Sequence, residues 1–539
     1  MSQRLRGSKE KAIRFIMNAK YVRAITLTLT AGACLALGGL GAFRMSHGNA
    51  RAASALGDFR AVDDYITDRM GAARIPGLSV AIVKGDQIVY LKGYGQADPS
   101  GRQVTPQTPF ITGSISKTFT ALALMQLVEA GKVDLAAPVQ RYLPWFRIAD
   151  PRASAQITVR SLLNHTSGLP QKADTFLWTD QDDGVLERTV RYLKTVDLAR
   201  PIGSFGYSNA NYQILGLIIQ TVSGQSYEAY VEQHIFAPLD MWDSFTSEQQ
   251  ALQHGMAMGY RWWFGFPIPA TMPFLRSELP AGFLISSAED MAHYLIAMMN
   301  GGQYQGRSIL SPQTISFMWT QAPGIPYGNG WELAHLNGRT LVNQDGATAN
   351  FQGSVFFDPK ERVGVFVTAN AMNALDGLSS PPDSATFASI TTRGIAHSVL
   401  SLTTNRPLPD QGLGIERISL IYGLLTLGLT GALVFVFARM PRRYRRWAQR
   451  GLATWADLAR RGGWIAALHF AWPAALLYVS LTVSEWKELV WFQPDLTYWL
   501  SAAAALVALK GGIELALIWR VFEQTRQGQI QSAQRAQSS

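Results

Sequence analysis

Four long apolar runs constrain this chain more than any other feature of its 539 residues. They cover residues 24–43, 418–438, 464–484 and 497–519, and each holds 20 to 23 residues. An α-helix needs about 20 consecutive apolar residues to cross the hydrocarbon core of a bilayer. The sequence therefore predicts four membrane crossings, one before and three after a long segment of mixed composition.

Basic residues lie beside these runs and predict their orientation. Residues 1–23 carry seven Lys or Arg and one acid, residues 439–463 carry eight Arg and one Asp, and residues 520–539 carry three Arg and one Glu. Because positive flanks stay in the cytoplasm, we expect a multi-pass protein of the inner (cytoplasmic) membrane. Residues 44–417 are then periplasmic or extracellular. This clustering beside apolar runs argues against a nucleic-acid partner, despite the net charge of +10.

Two of the runs carry further signals. Residues 24–43 are predicted to be either an uncleaved signal anchor or a signal peptide, since Ala53-Ser54-Ala55 has the small-x-small form of a cleavage site. In the last run, Lys510 and Glu514 are four residues apart, so they can pair on one helix face. Because charges inside a span are costly, we expect that pair to face the helix bundle.

The segment 56–405 has the pattern of an extracytoplasmic α+β domain. Strands are predicted at 78–83 and 87–94 around the turn Gly85-Asp86, and later at 339–343, 353–358 and 363–370. Helices are predicted at 117–130 and 386–400, and residues 140–330 form a loop-rich helical region. Strands at both ends of the segment predict one antiparallel sheet with a helical subdomain inserted in it.

Ser114-Ile115-Ser116-Lys117 is the sharpest chemical signal. At the start of a helix, a spacing of three residues places the Ser114 hydroxyl and the Lys117 amine on one face. Serine needs a base to become a good nucleophile, and a buried lysine with a lowered pKa can be that base. The helix N-terminus also favours a developing oxyanion.

A second signal, Tyr207-Ser208-Asn209, follows about 90 residues later. A tyrosine beside a lysine can exist as a phenolate and relay the serine proton, and the Asn209 amide can orient the lysine or hold a substrate carbonyl. Either motif alone is weak, and their combination favours nucleophilic catalysis.

With these motifs, the chain resembles the serine β-lactamase and penicillin-binding-protein superfamily, particularly its class C-like branch. The resemblance covers most of residues 60–400. It implies a β-lactamase/transpeptidase-like fold, with Ser114 as the acylating nucleophile, Lys117 as the base and Tyr207 as the proton relay. Further matching segments are Ile75-Pro-Gly-Leu-Ser-Val-Ala, Leu162-Leu-Asn-His-Thr-Ser-Gly-Leu-Pro, Ala237-Pro-Leu-Asp-Met and Pro280-Ala-Gly-Phe-Leu-Ile-Ser-Ser.

The third motif of that superfamily, Lys-Thr-Gly or His-x-Gly, is matched here by Gln344-Asp345-Gly346. A neutral Gln344 puts recognition of a substrate carboxylate in doubt. Since Gly346 is kept, the resemblance implies an oxyanion hole formed by the N–H groups of Ser114 and Ala347.

Several amides near these motifs are candidates for contacting an uncharged polar substrate group: Asn209, Asn343, Gln344 and Asn350. The alternative is that they only cap loops and strands. Asp345 is expected either to support a neighbouring residue or to be solvated, and His165 to lie in a structural loop. The aromatic run 262–266 fits either the core or a wall of an apolar substrate cleft.

The resemblance, together with the three C-terminal helices, implies a serine peptidase or amidase laid out like the membrane-bound, colibactin-type prodrug-activating D-amino-acid peptidases. Those enzymes remove an N-acyl-D-amino-acid cap from an exported nonribosomal peptide precursor. An esterase, a D,D-peptidase or β-lactamase, and a non-catalytic sensor remain alternatives.

The expected partners are a small-molecule or peptide substrate and the lipid bilayer, with a homodimer or a transporter contact through the transmembrane helices left open. We expect no cofactor or metal, because the single cysteine and eight histidines lack the spacing of ligands.

Overall fold

The computed structural model describes residues 58–171, 179–321, 324–336, 339–373, 391–409, 415–450, 452, 454–482, 490 and 493–538. The predicted basic segment 1–23, the signal segment 24–43 and the cleavage sequence at 53–55 lie outside the described residues. The described chain divides into two compact units, one up to residue 418 and the other from residue 419 onward.

The first unit contains eleven described helices. They are α1 (Arg60–Ala73), α2 (Ser116–Glu129), α3 (Pro151–Ser154), α4 (Val159–Leu163), α5 (Val185–Tyr192), α6 (Asn209–Ser223), α7 (Tyr227–Val231), α8 (Glu248–Gln253), α9 (Ala288–Met299), α10 (Pro312–Met318) and α11 (Thr391–Thr403). Residues 386–390 of the predicted helix 386–400 lie outside the described residues.

The described strands of the first unit form one large sheet and several small ones. They are β1 (Gly77–Lys84), β2 (Gln87–Gly95), β3 (Phe110–Ile111), β4 (Tyr260–Trp263), β5 (Phe266–Pro269), β6 (Ile285–Ser286), β7 (Gln303–Tyr304), β8 (Arg307–Ser308), β9 (Glu332–Leu336), β10 (Arg339–Ala347), β11 (Gln352–Asp358), β12 (Val363–Ala369) and β13 (Ala371–Met372).

The large sheet has the order β2-β1-β12-β11-β10-β9, and all its neighbours are antiparallel. The N-terminal hairpin β1–β2 thus pairs with a strand from the end of the domain, so the predicted sheet shared by both ends is confirmed. The reason is visible in the sequence: β1, β11 and β12 are buried along nearly their whole length, and such strands must be covered on both faces.

Helices cover both faces of this sheet. On one face, Ile66 of α1 and Val399 of α11 pack with Val80 and Val365 in a continuous apolar core. On the other face lies α9, where Leu295 and Met299 approach Gly364 so closely that a Cβ there would be 3.1 to 3.4 Å from them. The region between β2 and β9 is largely helical and corresponds to the helical subdomain predicted from the sequence.

The second unit consists of helices. Their ranges are α12 (Ile415–Ala438), α13 (Met440–Arg450), α14 (Trp455–Thr482) and α15 (Pro494–Ser538). Three stretches are long and apolar enough to span a membrane: Leu420–Arg450, Trp455–Ser480 and Pro494–Ser538. The three predicted C-terminal spans 418–438, 464–484 and 497–519 are therefore matched by helices, except that residues 483–484 lie outside the described residues. α15 continues through the predicted tail 520–539 as far as Ser538.

Polar contacts connect the apolar helices of this unit. Tyr422 on α12 donates a hydrogen bond to Asp495 (2.8 Å). Lys510 Nζ is 2.7 Å from Glu514 Oε1, which confirms the predicted pair, and 2.8 Å from His469 Nε2 on α14. Lys510 and Glu514 are 2% and 0% exposed, so the charges face other helices.

Candidate active site

Ser114 lies in the tight turn Gly113–Ile115 immediately before α2. Ser116 fixes this turn, because its hydroxyl donates to the Gly113 carbonyl (2.8 Å) and accepts from the Leu284 N–H (3.0 Å). The turn is also held by β3, which precedes it and pairs with β6. The predicted helix 117–130 is observed one residue earlier, at Ser116–Glu129.

Lys117 is completely buried and lies directly beside Ser114. Its Nζ is 2.9 Å from Ser114 Oγ, 2.8 Å from Asn209 Oδ1 and 2.5 Å from the Ala281 carbonyl. Asn209 is the first residue of α6, and Ala281 belongs to the π-helical turn Leu279–Phe283. The structure thus brings the two predicted motifs together at one amine.

Burial lowers the pKa of Lys117 to about 7, opposed by the negative charge of Glu278. The neutral amine then has two hydrogens and one lone pair. The oxygens of Asn209 and Ala281 can only accept hydrogen bonds, so they take the two hydrogens. The lone pair is left facing Ser114, which is the arrangement that proton removal from the serine hydroxyl requires.

Tyr207 donates a hydrogen bond to Ser114 Oγ at 2.7 Å, and its ring packs against the buried ring of His165, with the ring centroids 4.4 Å apart. Burial raises the pKa of Tyr207 strongly, although Lys117 Nζ lies 4.8 Å from the centre of its ring. The structure therefore favours a neutral phenol that donates to Ser114.

Gly113 and Gly346 allow two backbone segments to meet at the nucleophile. Gly113 has φ +58°, and a Cβ there would be 2.2 Å from the Ala347 nitrogen. A Cβ at Gly346 would be 1.9 Å from the Thr112 carbonyl oxygen and 2.9 Å from the Ser114 nitrogen. No side chain fits in either gap, so only glycine lets the backbone at Ser114 and the backbone at Ala347 approach this closely.

The side chains of successive residues in β10 point to opposite faces of the sheet. Gln344 is buried and accepts a hydrogen bond from the Tyr327 hydroxyl (2.9 Å), while its own amide donates to the Asp345 carbonyl (3.0 Å). The Asp345 carboxylate accepts from Arg393 of α11 (2.5 Å). Asp345 is therefore not solvated: it holds an arginine, as one of the two sequence interpretations expected.

Two of the candidate amides have structural partners. Asn343 donates to Glu332 (3.0 Å), on the strand next to β10. Asn350 donates to the Ala270 carbonyl (3.0 Å) and accepts from Thr348 (3.2 Å). Both ends of the Asn350 amide thus contact protein, as the loop-capping alternative expects, and its contact with substrate stays a prediction.

His165 supports the tyrosine motif and is itself buried. Its Nδ1 accepts a hydrogen bond from the Ser208 N–H (3.1 Å), and its ring lies 4.4 Å from that of Tyr207. Burial and the neighbouring Lys117 charge lower the pKa of His165 well below its usual value, so the ring is neutral. These contacts agree with the expected structural loop.

The aromatic run 262–266 lies partly in the core and partly on an exposed hairpin, and its role as a wall of a substrate cleft stays a prediction. Trp262 is buried, whereas Trp263 and Phe266 are 37% and 41% exposed on the β4–β5 hairpin. The Arg74 guanidinium lies 4.9 Å from the Phe266 ring and bonds the Gly265 carbonyl. The run is thus part core and part surface.

Sequence reasoning missed two buried residues around the site, Glu278 and Tyr327. Glu278 is fully buried, accepts from Gln213 (2.7 Å) and acts electrostatically on Lys117. Tyr327 bonds Gln344. The sequence could have indicated Glu278, because this acid lies two residues before the matching segment that begins at Pro280, among apolar residues. Tyr327 lies in a loop, and no sequence pattern indicates its place in the site.

Comparison with known proteins places this geometry in a class. The antiparallel sheet, the helical subdomain and the serine–lysine turn define a fold of the β-lactamase and penicillin-binding-protein type. A family model described as Beta-lactamase matches residues 62–382. The chain belongs to the beta-lactamase family. Among the described residues, no group of three or more His, Cys, Asp or Glu side chains is arranged to hold a metal ion.

Three proteins illustrate how similar this chain is to other members of the family. "Protein flp" of Staphylococcus aureus (strain MW2) is 29% identical over 312 residues, which is 57% of this chain and 62% of that protein. "Penicillin-binding protein 4" of Amycolatopsis lactamdurans is 30% identical over 289 residues, 51% of this chain and 75% of that protein. The octameric penicillin-binding protein homologue from Pyrococcus abyssi has a solved structure with a TM-score of 0.56 and 28% identity, covering 66% of this chain and 79% of that one.

Proposed function

We propose that this chain is a membrane-anchored serine peptidase or amidase that acts through an acyl-enzyme on Ser114. The observation that carries the proposal is the pair of contacts at Ser114 Oγ, 2.9 Å from Lys117 Nζ and 2.7 Å from the Tyr207 hydroxyl. A base and a hydrogen-bond donor on one hydroxyl are what nucleophilic catalysis by serine requires.

In the proposed reaction, neutral Lys117 takes the Ser114 proton as Oγ attacks the substrate carbonyl carbon. The N–H groups of Ser114 and Ala347 then stabilise the oxyanion. Breaking the C–N bond releases an amine that receives the proton from Lys117, with the Tyr207 hydroxyl relaying it. A water molecule repeats these steps on the acyl-enzyme, and Ser114 regains its proton.

The proposed substrate carries an uncharged polar group beside the scissile bond. Arg393, the guanidinium that approaches β10, is already held by Asp345 (2.5 Å) and Glu332 (3.4 Å). Gln344 is neutral and tied to Tyr327. These contacts leave a substrate carboxylate without an ionic partner there, which disfavours β-lactams and C-terminal D-Ala peptides.

We therefore extend the proposal to removal of an N-acyl-D-amino-acid cap, such as acyl-D-asparagine, from an exported nonribosomal peptide precursor. The Asn209 amide at the site supports a polar, uncharged substrate group. The three apolar C-terminal helices support a multi-pass location in the inner membrane. The basic segments beside them support a catalytic domain on the periplasmic or extracellular side.

The test is activity-based labelling of membranes with a fluorophosphonate probe. Wild type is compared with Ser114→Ala and Lys117→Ala, with Ser100→Ala and Lys132→Ala as exposed controls of the same chemistry. Each preparation also receives an acyl-D-asparaginyl amide, a chromogenic β-lactam and a p-nitrophenyl ester.

We expect labelling and turnover of the D-asparaginyl amide in wild type and in both controls, and loss of both in the site variants. Labelling with turnover of the ester alone would contradict the peptidase assignment. Labelling that does not depend on Ser114 would contradict the nucleophile.

A further inference from the structure

The short helix α13 presents an arginine face that the rest of its unit does not cover. Arg442, Arg445, Arg446 and Arg450 are all exposed, and their spacing of three or four residues puts them on one side of the helix. α13 begins two residues after α12, one of the helices that are long enough to span a membrane.

The opposite face of α13 packs against the helical unit. Tyr444 and Trp447 contact an apolar cluster that includes Ile518 and Phe522 of α15. Arg443 also points this way, with its guanidinium 5.3 Å from the Trp447 ring and 3.5 Å from Glu514 Oε1. The helix is therefore held in place, and its orientation determines which arginines face outward.

The exposed arginines have no acidic partner within the part of this unit that the structure describes. Two carboxylates of this unit are otherwise engaged, since Asp457 pairs with Arg460 and Glu523 accepts from Trp519. Between residues 439 and 463 the sequence carries eight arginines and one acid. This surplus of positive charge favours an anionic partner from outside the chain.

Tryptophan side chains near α13 indicate the depth at which this helix lies relative to a bilayer. Trp455 and Trp519 have ring centroids 5.9 Å apart and are 56% and 46% exposed, and both contact Phe522. Trp447 packs on the same end of α15. Exposed tryptophans at the end of apolar helices are typical of the headgroup region of a bilayer, so α13 lies at the depth of the headgroups.

We propose that the arginine face of α13 (Arg442, Arg445, Arg446 and Arg450) binds the headgroups of anionic phospholipids, with α13 lying along the membrane surface. A basic amphipathic helix beside a membrane span has the charge and shape for such binding. Guanidinium groups also suit the ligand, because they form paired hydrogen bonds with phosphate oxygens.

The experiment uses the full chain in neutral detergent micelles containing dansyl-labelled phosphatidylglycerol or dansyl-labelled phosphatidylcholine. Energy transfer from the tryptophans of the chain, which include Trp447, Trp455 and Trp519, reports bound lipid, and the arginine variants locate it. We expect tighter binding of phosphatidylglycerol at low salt and loss of that preference at 1 M salt, where the screening length is about 3 Å.

The test variant is the triple substitution R442Q/R445Q/R446Q. It should weaken phosphatidylglycerol binding by about 100-fold, on the order of fivefold for each arginine. The charge-matched control R147Q/R152Q/K194Q, on exposed positions of the first unit, should leave binding unchanged. A triple Arg→Lys variant should keep most of the preference, which separates lost charge from misfolding.

Three outcomes would overturn the proposal. Equal binding of the two lipids by wild type would remove the preference itself. An unchanged preference in the triple Gln variant would place the site elsewhere. Full displacement of the labelled lipid by glycerol 3-phosphate at matched ionic strength would indicate a site for soluble phosphate esters and not for a membrane surface.

Discussion

The buried amine of Lys117 predicts a steep pH dependence for acylation of Ser114. Only the neutral amine can take the serine proton, and burial lowers the Lys117 pKa to about 7. About 1% of the amine is neutral at pH 5 and about 90% at pH 8, so the rate should rise about 90-fold between these values. Above pH 8 the rate should reach a plateau.

The assay is the second-order rate constant for fluorophosphonate labelling of the full chain between pH 5 and 9. Far-UV circular dichroism at each pH verifies that the protein stays folded. A flat profile would refute the reasoning, because it would mean that no base with a near-neutral pKa acts on the serine. A midpoint above pH 9 would refute it too, because Lys117 would then behave as an exposed lysine.

The matched control is Lys117→Arg, which keeps a cation at the position but cannot lose its proton in this range. We expect labelling to fall by about 100-fold or more, as for loss of a general base, and to lose its dependence on pH. A variant with the wild-type profile would show that another group sets the midpoint.

The other predictions concern the surroundings of the site. Glu278→Gln removes the negative charge that raises the Lys117 pKa, so the acid limb of the labelling profile should move to lower pH; an unmoved limb would exclude the electrostatic role. Gly346→Ala should reduce labelling by about 100-fold, because the new Cβ collides with the nucleophile turn and disturbs an oxyanion donor, whereas Gly394→Ala, which has open space around it, should label normally. Arg393→Ala leaves two buried carboxylates without their cation and should lower the free energy of unfolding by about 3 kcal/mol in urea titrations. Arg406→Ala breaks an exposed pair and should cost less than about 1 kcal/mol.

The parts of the fold that depend on local pattern could be predicted from the sequence. The turn at Gly85, the alternating and continuous apolar strands, and the long apolar helices are encoded within windows of about 20 residues. The pairing of Ser114 with Lys117 is local as well, since three residues on a helix fix their common face.

The parts of the site that depend on distant contacts could not be predicted from the residues alone. Strand alternation implies that Gln344 and Asp345 face opposite ways, but the sequence does not reveal which face meets the serine. Gln344 bonds to Tyr327, and Asp345 bonds to Arg393. Both partners lie too far away in the chain for a local sequence pattern to reveal these contacts. For the same reason the sequence does not reveal that the amide of Asn350 bonds the Ala270 carbonyl, 80 residues away in the chain.

The meeting of Gly113 with Gly346 also has a consequence for biosynthesis. The two donors of the proposed oxyanion hole, at Ser114 and Ala347, lie about 230 residues apart in the chain. At a synthesis rate of 5 to 20 residues per second, the second donor is made roughly 12 to 47 s after the first. The serine therefore leaves the ribosome long before β10 is made, and the proposed site is complete only after the last strands of the sheet have been made and have paired.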